Sequence, residues 1–258
     1  MSVVKPKKYL GQHFLTDKNT AQKIVCALQK HKDYTKVLEV GPGMGILSDI
    51  LFAQEGYETW LIDIDQESIA FLQEKYAVRK DRIIYGDFLN FDFVPFGTDS
   101  LAIIGNFPYN ISSQILFKVL AERDRVVEVV GMFQKEVANR CVAGPGGKEY
   151  GILSVLLQAF YTIEYLFTVK PGVFNPPPKV QSGVIRMKRN DTLHLDCDED
   201  LFGRVVRMAF NQRRKTLRNA LSALIKNRDL KEDQVLDLRA ERLSVQDFID
   251  LTNKISKQ

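Results

Sequence analysis

Glu39-Val40-Gly41-Pro42-Gly43-Met44-Gly45 is the stretch of sequence that decides the fold. It completes a short apolar run that begins at Val37, and helical periodicity follows at 45–54. Glycines in such a turn allow a sharp change of direction and let a ligand approach the backbone closely. The sequence therefore predicts a strand, a glycine-rich turn and a helix that together bind a nucleotide-like ligand.

The spacing of these glycines separates two kinds of ligand. A dinucleotide-binding turn requires a glycine or alanine three positions after Gly43, where this chain has Ile46. The third glycine, Gly45, comes one residue too early for that pattern. The spacing favours S-adenosylmethionine over a nicotinamide dinucleotide.

Apolar runs alternate with helix-like stretches around this turn. The runs lie at 37–40, 59–62, 82–85, 101–104 and 126–133, and the helix-like stretches lie at 45–54, 66–76 and 112–120. Repeated βαβ order predicts an open, doubly wound, mainly parallel sheet. Two later strand-like runs, at 162–169 and 180–188, are joined through prolines, and we expect them to form an antiparallel pair at the end of the sheet.

The C-terminal part of the chain has a different pattern. Polar residues at 189–200 mark a linker, after which only helical periodicity remains, with Leu217, Leu221, Leu224 and Ile225 on one face. We therefore predict a Rossmann-like α/β domain at 1–190 and a small helical domain at 198–258.

Polar side chains follow three further strands of the predicted sheet. Asp63 ends the second strand, Asp87 follows the third and Asn106 follows the fourth. Ligands bind at the carboxyl ends of strands in open α/β sheets, so Asp63 suits the ribose hydroxyls and Asp87 suits the adenine amine. Each residue alone could simply cap a helix or turn, but the series favours a cofactor site.

Asn106-Phe107-Pro108-Tyr109 points to the reaction. The amide oxygen of Asn106 and the Pro108 carbonyl can accept hydrogen bonds from an exocyclic amine and so fix its nitrogen in line with a methyl donor. Tyr109 offers a ring on which a flipped base can stack. These residues predict methylation of a base amine, although a strand followed by an ordinary turn would leave the same pattern.

Composition narrows the class of protein. With 45% hydrophobic and 26% charged residues, the chain has the make-up of an ordinary globular protein. It has no apolar run of the roughly 20 residues that a membrane span needs, and no signal-peptide core, so we expect a cytoplasmic protein without a membrane partner. The three cysteines lie far apart, as do the histidines, and we expect no metal site.

Basic residues are concentrated in one region. Residues 201–228 contain eight basic side chains and no acidic one, and a second basic cluster comprises Lys5, Lys7 and Lys8. Such clusters suit a phosphate backbone, while a solvated helix face is the alternative. The predicted RNA ligands are Arg204, Arg207, Arg213, Arg214, Lys215 and Arg218.

Several motifs together resemble those of the ribosomal RNA adenine dimethyltransferases. They lie at 11–17 (Gly11-Gln12-His13-Phe14-Leu15-Thr16-Asp17), 39–45, 106–112, 134–138, 174–182 (Phe174-Asn175-Pro176-Pro177-Pro178-Lys179-Val180-Gln181-Ser182) and 210–219. The likeness covers nearly the whole chain. It is closest to the bacterial KsgA type, largely because of residues 212–219, while the Erm enzymes that act on large-subunit rRNA share the methyltransferase motifs.

The resemblance implies a fold, an activity, a cofactor and a partner. The fold of 1–190 is that of a class I S-adenosylmethionine-dependent methyltransferase. The activity is N6,N6-dimethylation of two adjacent adenosines in the 3′-terminal hairpin of small-subunit (16S) rRNA within immature subunits. Cofactor contacts carried over from the family are His13, Leu15, Gly41, Gly43, Asp63, Asp87 and Asn106. His13 stands where the family often has asparagine, and Asp63 stands where glutamate is usual, so the shorter acid weakens the expected affinity for the cofactor.

The implied catalytic residues are Asn106, Pro108, Tyr109 and Phe174. In this mechanism the target adenosine flips out, its ring lies between Tyr109 and Phe174, and Asn106 with the Pro108 backbone holds N6 against the methyl group. No general base of unusual pKa is needed.

Three other functions fit some of the same features. They are an Erm-type enzyme, a DNA adenine methyltransferase, and a factor that acts in subunit assembly mainly by binding. The glycine-dense segment 143–151 is either a gate over the substrate cleft or an ordinary surface loop. We expect a monomer.

Overall fold

The computed structural model of the protein describes residues 4–225 and 232–257. Its strands are β1 (Phe14–Leu15), β2 (Lys36–Val40), β3 (Glu58–Asp63), β4 (Ile83–Tyr85), β5 (Leu101–Asn106), β6 (Val126–Gln134), β7 (Tyr161–Val169), β8 (Phe174–Asn175) and β9 (Ser182–Arg189). Its α-helices are α1 (Lys18–Val25), α2 (Ile46–Leu51), α3 (Gln66–Lys75), α4 (Ser112–Ala121), α5 (Lys135–Val142), α6 (Ile152–Gln158), α7 (Glu199–Asn211), α8 (Leu217–Ala220) and α9 (Val245–Ser256).

Short 3₁₀ helices connect several of these elements. They span Lys8–Leu10, His31–Asp33, Ala77–Arg82, Phe88–Asn90, Val94–Phe96, Tyr109–Ile111, Pro171–Val173, Gln234–Asp237 and Ala240–Arg242.

Seven strands form the central sheet, in the order β4-β3-β2-β5-β6-β9-β7. Neighbours from β4 to β6 are parallel, and β9 runs antiparallel to β6, with Met132 opposite Val184. This is the doubly wound, mainly parallel fold that the sequence predicted. The chain places β3 and β4 on one side of β2 and β5 and β6 on the other, so the strand order reverses between β2 and β5.

The middle strands are apolar because both faces of the sheet are covered. Leu101, Ile103 and Ile104 of β5 are fully buried, and so is Val37 of β2. Such strands carry continuous apolar runs rather than alternating ones, which is why their positions could be predicted to within two residues.

β1 and β8 form a separate two-stranded antiparallel pair, which the sequence analysis did not predict. Phe14 pairs with Asn175 and Leu15 pairs with Phe174. The hydroxyl of Thr16 also donates to the carbonyl of Val173 at 2.9 Å. The N-terminal motif is thereby joined to the proline-rich segment.

The chain divides into two compact units, residues 1–138 with 162–189, and residues 139–161 with 190–258. The second unit therefore includes 139–161, a segment that the sequence analysis placed in the α/β domain. The reason is packing within that unit, because α6 buries Leu153, Val155 and Leu157 and contacts α7 and α9. No helix in the described part of the chain is long and apolar enough to cross a membrane.

Candidate active site

A cavity of about 220 Å³ lies where the parallel strands of the first unit end. Its walls come from the segment before β1, the turn after β2 and the segments that end or follow β3, β4 and β5. Open α/β sheets bind ligands at this place, since the strand order reverses there. The cavity brings together these sequence-predicted residues: His13, Gly41, Gly43, Asp63, Asp87, Asn106, Pro108 and Tyr109.

The glycine-rich turn keeps one wall of the cavity clear. Gly41, Gly43 and Gly45 have φ values of 70°, 55° and 80°, a left-handed backbone that residues with a side chain rarely adopt. A Cβ atom on Gly43 would lie 2.9 Å from the ring of Phe14. The turn therefore lets the backbone lie close to a ligand, as the sequence predicted, and this space fits a nucleotide-like cofactor.

Asp63 ends β3 and is almost fully buried at the cavity. One carboxylate oxygen accepts from the backbone N–H of Asp65 at 2.9 Å and the other from the N–H of Gly43 at 3.3 Å. Burial raises the pKa of Asp63 to about 6. A fixed acceptor of this kind beside the glycine-rich turn is suited to the hydroxyls of a ribose.

Asp87 both lines the cavity and caps a turn. Its oxygens accept from the N–H of Leu89 at 3.0 Å and from the side chain of Asn90 at 2.6 Å. The capping interpretation is therefore confirmed, and it leaves the cofactor interpretation open, because a carboxylate has lone pairs left for a ligand amine.

Asn106 ends β5 with a fixed amide orientation. Its Nδ2 donates to the carbonyl oxygen of His13 at 2.8 Å. Since a carbonyl only accepts, the nitrogen faces His13 and the amide oxygen is left as an acceptor for an exocyclic amine. The Pro108 carbonyl, the second predicted acceptor, already receives bonds from Ile111 N at 3.3 Å and Ser112 Oγ at 3.2 Å.

Tyr109 is held at the cavity by its hydroxyl. That hydroxyl lies 2.6 Å from Ser182 Oγ, and burial raises the pKa of Tyr109. The His13 ring lies 5.5 Å from the Tyr109 ring, centroid to centroid, and His13 Nδ1 is 2.7 Å from the carbonyl oxygen of Pro176. Two side chains that the sequence analysis treated separately thus form one aromatic wall.

Two predicted residues do not line this cavity. Leu15 is buried and lines an adjacent space of about 30 Å³ between β1 and the glycine-rich turn. Phe174 is 4% exposed and belongs to a hydrophobic cluster that also contains Leu15 and Val184. The Phe174 side chain thus packs in that cluster and does not line the cavity that Tyr109 lines.

Comparison with known proteins identifies the family. A model of the family described as ribosomal RNA adenine dimethylase matches residues 3–257. The chain belongs to this family. The dimethylase is 57% identical to ribosomal RNA small subunit methyltransferase A of Cytophaga hutchinsonii, over 99% of each chain, and 53% identical to the protein of that name from Flavobacterium johnsoniae, over 99% of this chain and 97% of the relative.

Solved structures agree with this assignment. The dimethylase is similar to a dimethyladenosine transferase from Plasmodium falciparum, with a TM-score of 0.80, 26% identity and coverage of 95% of this chain and 98% of the other. The fold also matches that of the 23S rRNA methyltransferase ErmE, with a TM-score of 0.66 and 22% identity over 93% and 99% of the chains. The dimethylase is thus a methyltransferase of the class I fold whose cofactor is S-adenosylmethionine.

Glu39 is a site residue that the sequence analysis quoted but did not assign. It is 1% exposed, lines the same small space as Leu15 and accepts from Ser48 Oγ at 2.5 Å. Burial raises the pKa of Glu39 to about 8. Its position directly before the glycine-rich turn was the available signal.

The N-terminal segment of the dimethylase is a second element that the sequence analysis interpreted differently. Lys7 forms an ion pair with the buried carboxylate of Asp65, and Gln12 Nε2 lies 3.3 Å from the other oxygen of Asp65. Lys7 also lies 3.3 Å from Glu67. These bonds hold residues 7–13 against the end of β3, where Leu10, Gly11 and Gln12 line the cavity. Lys7 is therefore a structural cation, whereas Lys8 is exposed.

The basic block in the second unit consists of two kinds of side chain. Arg218 is paired with Asp237 through Nε at 3.0 Å and Nη2 at 2.6 Å, and Arg213 donates to backbone carbonyls of 147 and 148. The exposed members are Arg204, Arg207, Arg214 and Lys215. Lys226 and Arg228 lie outside the described residues. Arg213 and Arg218, two of the predicted RNA ligands, thus already have intramolecular partners, and their contact with phosphate stays a prediction.

Proposed function

We propose that this dimethylase transfers methyl groups from S-adenosylmethionine to N6 of two adjacent adenosines in the 3′-terminal hairpin of small-subunit rRNA. Its proposed substrate is the rRNA of immature small subunits, on which it acts in the cytoplasm as a monomer. The observation that carries the chemistry is the Asn106 amide, held by His13 so that its oxygen remains an acceptor at the cavity. Relatives named small subunit methyltransferase A support the choice of rRNA.

The cofactor site is formed by residues already described. Gly41 and Gly43 leave the backbone open to the ligand, Asp63 accepts from the ribose hydroxyls, and Asp87 accepts from the adenine amine. When bound, S-adenosylmethionine would supply an electrophilic methyl group and leave as S-adenosylhomocysteine, while N6 loses one proton to solvent for each methyl group that it gains. The protein contributes position, since no covalent intermediate with a side chain is required.

The target amine is oriented by Asn106. The amide oxygen accepts a hydrogen bond from N6–H. This hydrogen bond strengthens as N6 becomes tetrahedral and positively charged in the transition state. Because Nδ2 is already bound to His13, the amide does not need to reorganise during the reaction. The Pro108 carbonyl can accept a second hydrogen bond from N6 if it loses one of the long hydrogen bonds that it receives from Ile111 N and Ser112 Oγ.

The target base is held by aromatic side chains. Tyr109 presents its ring at the cavity and is fixed there by Ser182. Stacking of a flipped base on such a ring contributes roughly 1–3 kcal/mol. Phe174 becomes the second ring of the sandwich if its side chain leaves the cluster around Leu15 when RNA binds.

A direct assay tests this function. Purified protein and labelled S-adenosylmethionine are incubated with immature small subunits that lack the modification, with naked small-subunit rRNA, with large-subunit rRNA and with duplex DNA. Digestion to nucleosides should give dimethyladenosine from small-subunit material alone, and the Asn106→Ala variant serves as the control for contaminating activity. Label in large-subunit RNA or DNA would refute the proposed substrate.

The same assay separates enzyme from assembly factor. If no substrate is labelled while the protein still binds immature subunits, the chemistry is refuted and the binding function replaces it. Dimethylation by the wild type together with stalled subunits in the presence of Asn106→Ala would mean that both functions exist in one chain.

A further inference from the structure

The glycine-dense segment between α5 and α6, residues 143–151, is anchored at both ends. Gln158 Nε2 donates to the carbonyls of Cys141 at 2.8 Å and Ala143 at 2.9 Å. At the other end, Tyr150 is fully buried and its ring lies edge-on to Phe210 at 5.9 Å. These contacts all lie within the second unit, and they favour a loop of defined shape over a gate.

Arg213 fixes the middle of this loop. Its Nη1 donates to the carbonyl oxygen of Lys148 at 2.7 Å and its Nη2 to that of Gly147 at 2.9 Å. Its Nε lies 3.4 Å from the carboxylate of Glu241, whose own backbone carbonyl accepts from Gly146 N at 2.6 Å. The N–H groups of the planar guanidinium thus donate mainly to the loop and to Glu241, so few donors remain for a phosphate.

The loop and Arg213 border an open groove of about 560 Å³. Its lining residues are Arg140, Gly146, Gly147, Lys148, Arg213 and Glu241. The one carboxylate among these residues is the partner of Arg213, so the groove has a net positive charge. Lys148 is exposed, and no described residue forms an ion pair with its ammonium group. A flexible, unpaired ammonium beside two glycines suits a phosphate oxygen.

We propose that the loop 143–150 is an RNA-docking element in which Lys148 contacts a backbone phosphate and Arg213 acts as the positioning residue. This inference rests on the proposed function, because it takes the RNA substrate as the partner. It assigns different roles to Arg213 and to its exposed neighbours Arg214 and Lys215. The site contacts phosphate and does not read bases.

Binding measurements over a range of salt concentrations test the role of Lys148. The probes are small-subunit rRNA and a generic RNA hairpin of similar length. Lys148→Ala should weaken binding to both RNAs to a similar extent, and the slope of log K against log salt should fall by about 1. Lys257→Ala removes an exposed lysine that does not line the groove and serves as the matched control. A Lys148→Ala variant that binds like wild type would overturn the proposal.

The role of Arg213 is tested by a charge-conserving change and by hydrogen exchange. Arg213→Lys keeps the charge but lacks the planar fork of donors that binds both carbonyls, so the backbone amide of Gly146 should exchange faster and RNA binding should weaken as in Arg213→Ala. When Lys148→Ala is added to Arg213→Ala, RNA affinity should fall by no more than about a further twofold, because the loop is already displaced. Unchanged amide exchange in the Arg213 variants, or losses of RNA affinity that multiply in the double variant, would mean that Arg213 contacts RNA itself.

Failure of this inference can be distinguished from failure of the proposed function. If wild type binds the hairpin but not small-subunit rRNA, the proposed substrate is wrong, and the variants still test the loop on the hairpin. If wild type binds neither RNA, the docking element is refuted.

Discussion

The side-chain amide of Asn106 and the carbonyl oxygen of His13 are joined by a 2.8 Å hydrogen bond that connects the end of β5 to the segment before β1. This bond settles which amide atom faces the cavity, because only the nitrogen can donate to His13. The residue predicted to hold the target amine and a residue predicted to contact the cofactor are therefore one structural unit.

Asn106→Ala should lower kcat by about 10²–10³-fold, the effect of removing one fixed hydrogen-bonding group from a transition state. Binding of S-adenosylmethionine, followed by calorimetry, should change far less, and the thermal unfolding midpoint should stay close to that of wild type. Asn106→Asp tests the orientation, because it places a carboxylate oxygen against the His13 carbonyl and should be at least as inactive. Turnover close to wild type in either variant would remove Asn106 from the reaction.

Phe174 requires a more careful substitution than alanine, because its ring is buried. Phe174→Ala should cost about 3–5 kcal/mol of stability and so confound any assay. Phe174→Leu keeps most of the volume and removes the ring. If Phe174 stacks on the target base, the leucine variant should lose about 5–160-fold in RNA turnover, the equivalent of roughly 1–3 kcal/mol, while cofactor affinity is kept. Near-normal turnover would show that the ring serves only to pack the core.

Asp63 should give cofactor binding a pH dependence. Its pKa is about 6, raised by burial from an ordinary 3.8, so the carboxylate is charged above pH 6 and neutral below it. Affinity for S-adenosylmethionine should therefore fall by about tenfold between pH 7 and pH 5. Because the unfolded chain holds this proton less tightly, ionisation of Asp63 also destabilises the fold as pH rises from about 4 to 6.

Asp63→Asn is the matched control for that titration. It should bind the cofactor more weakly at pH 7, with an affinity that changes little down to pH 5, and its stability should no longer decline between pH 4 and 6. An affinity that falls equally in both proteins would assign the pH dependence to another group, such as Glu39, whose pKa is about 8.

The Lys7–Asp65 ion pair should affect cofactor binding without contact with the cofactor. Lys7→Ala releases residues 7–13 from the end of β3, so the affinity for S-adenosylmethionine should fall and trypsin should cleave near Lys8 more rapidly. Lys8→Ala, which removes an exposed neighbouring lysine, should leave cofactor affinity unchanged. Equal effects of the two substitutions on cofactor affinity would argue against the ion pair as the cause.

The exposed and paired members of the basic block should behave differently toward RNA. Arg214→Ala and Lys215→Ala should each reduce the salt slope of RNA binding by about 1. Arg218→Ala should change that slope less, because Arg218 is paired with Asp237, and should cost about 0–1 kcal/mol of stability. A slope change for Arg218→Ala as large as for Arg214→Ala would return Arg218 to the RNA-binding set.

The sheet could be predicted from sequence because its strands are buried on both faces. A run such as Leu101 to Ile104 has no polar interruption, so its type and its start are visible, while the strand itself continues to Asn106. By contrast, β1 and β8 have two residues each, and their pairing depends on contacts between distant parts of the chain. The place of 139–161 in the second unit likewise depends on what α6 packs against, which no local pattern reveals.

The cofactor residues could be predicted because they follow successive strands, and parallel strands bring their ends together. Side-chain pairing is harder to predict, since it depends on acids distant in sequence. Lys7 belongs to a basic cluster that suits phosphate and Arg218 is a predicted RNA ligand, and no local pattern indicates their ion pairs with Asp65 and Asp237. Phe174 was assigned by resemblance to a family, and resemblance does not specify the rotamer in which its ring is held.

The pairing of β1 with β8 also bears on how the chain is made. His13 bonds to Pro176, which is 163 positions further along, and Phe14 pairs with Asn175. During synthesis from the N-terminus, residues 13–15 therefore leave the ribosome long before their partners exist. The N-terminal motif is therefore translated early, yet it cannot make these contacts until about 176 residues of the chain have been synthesised.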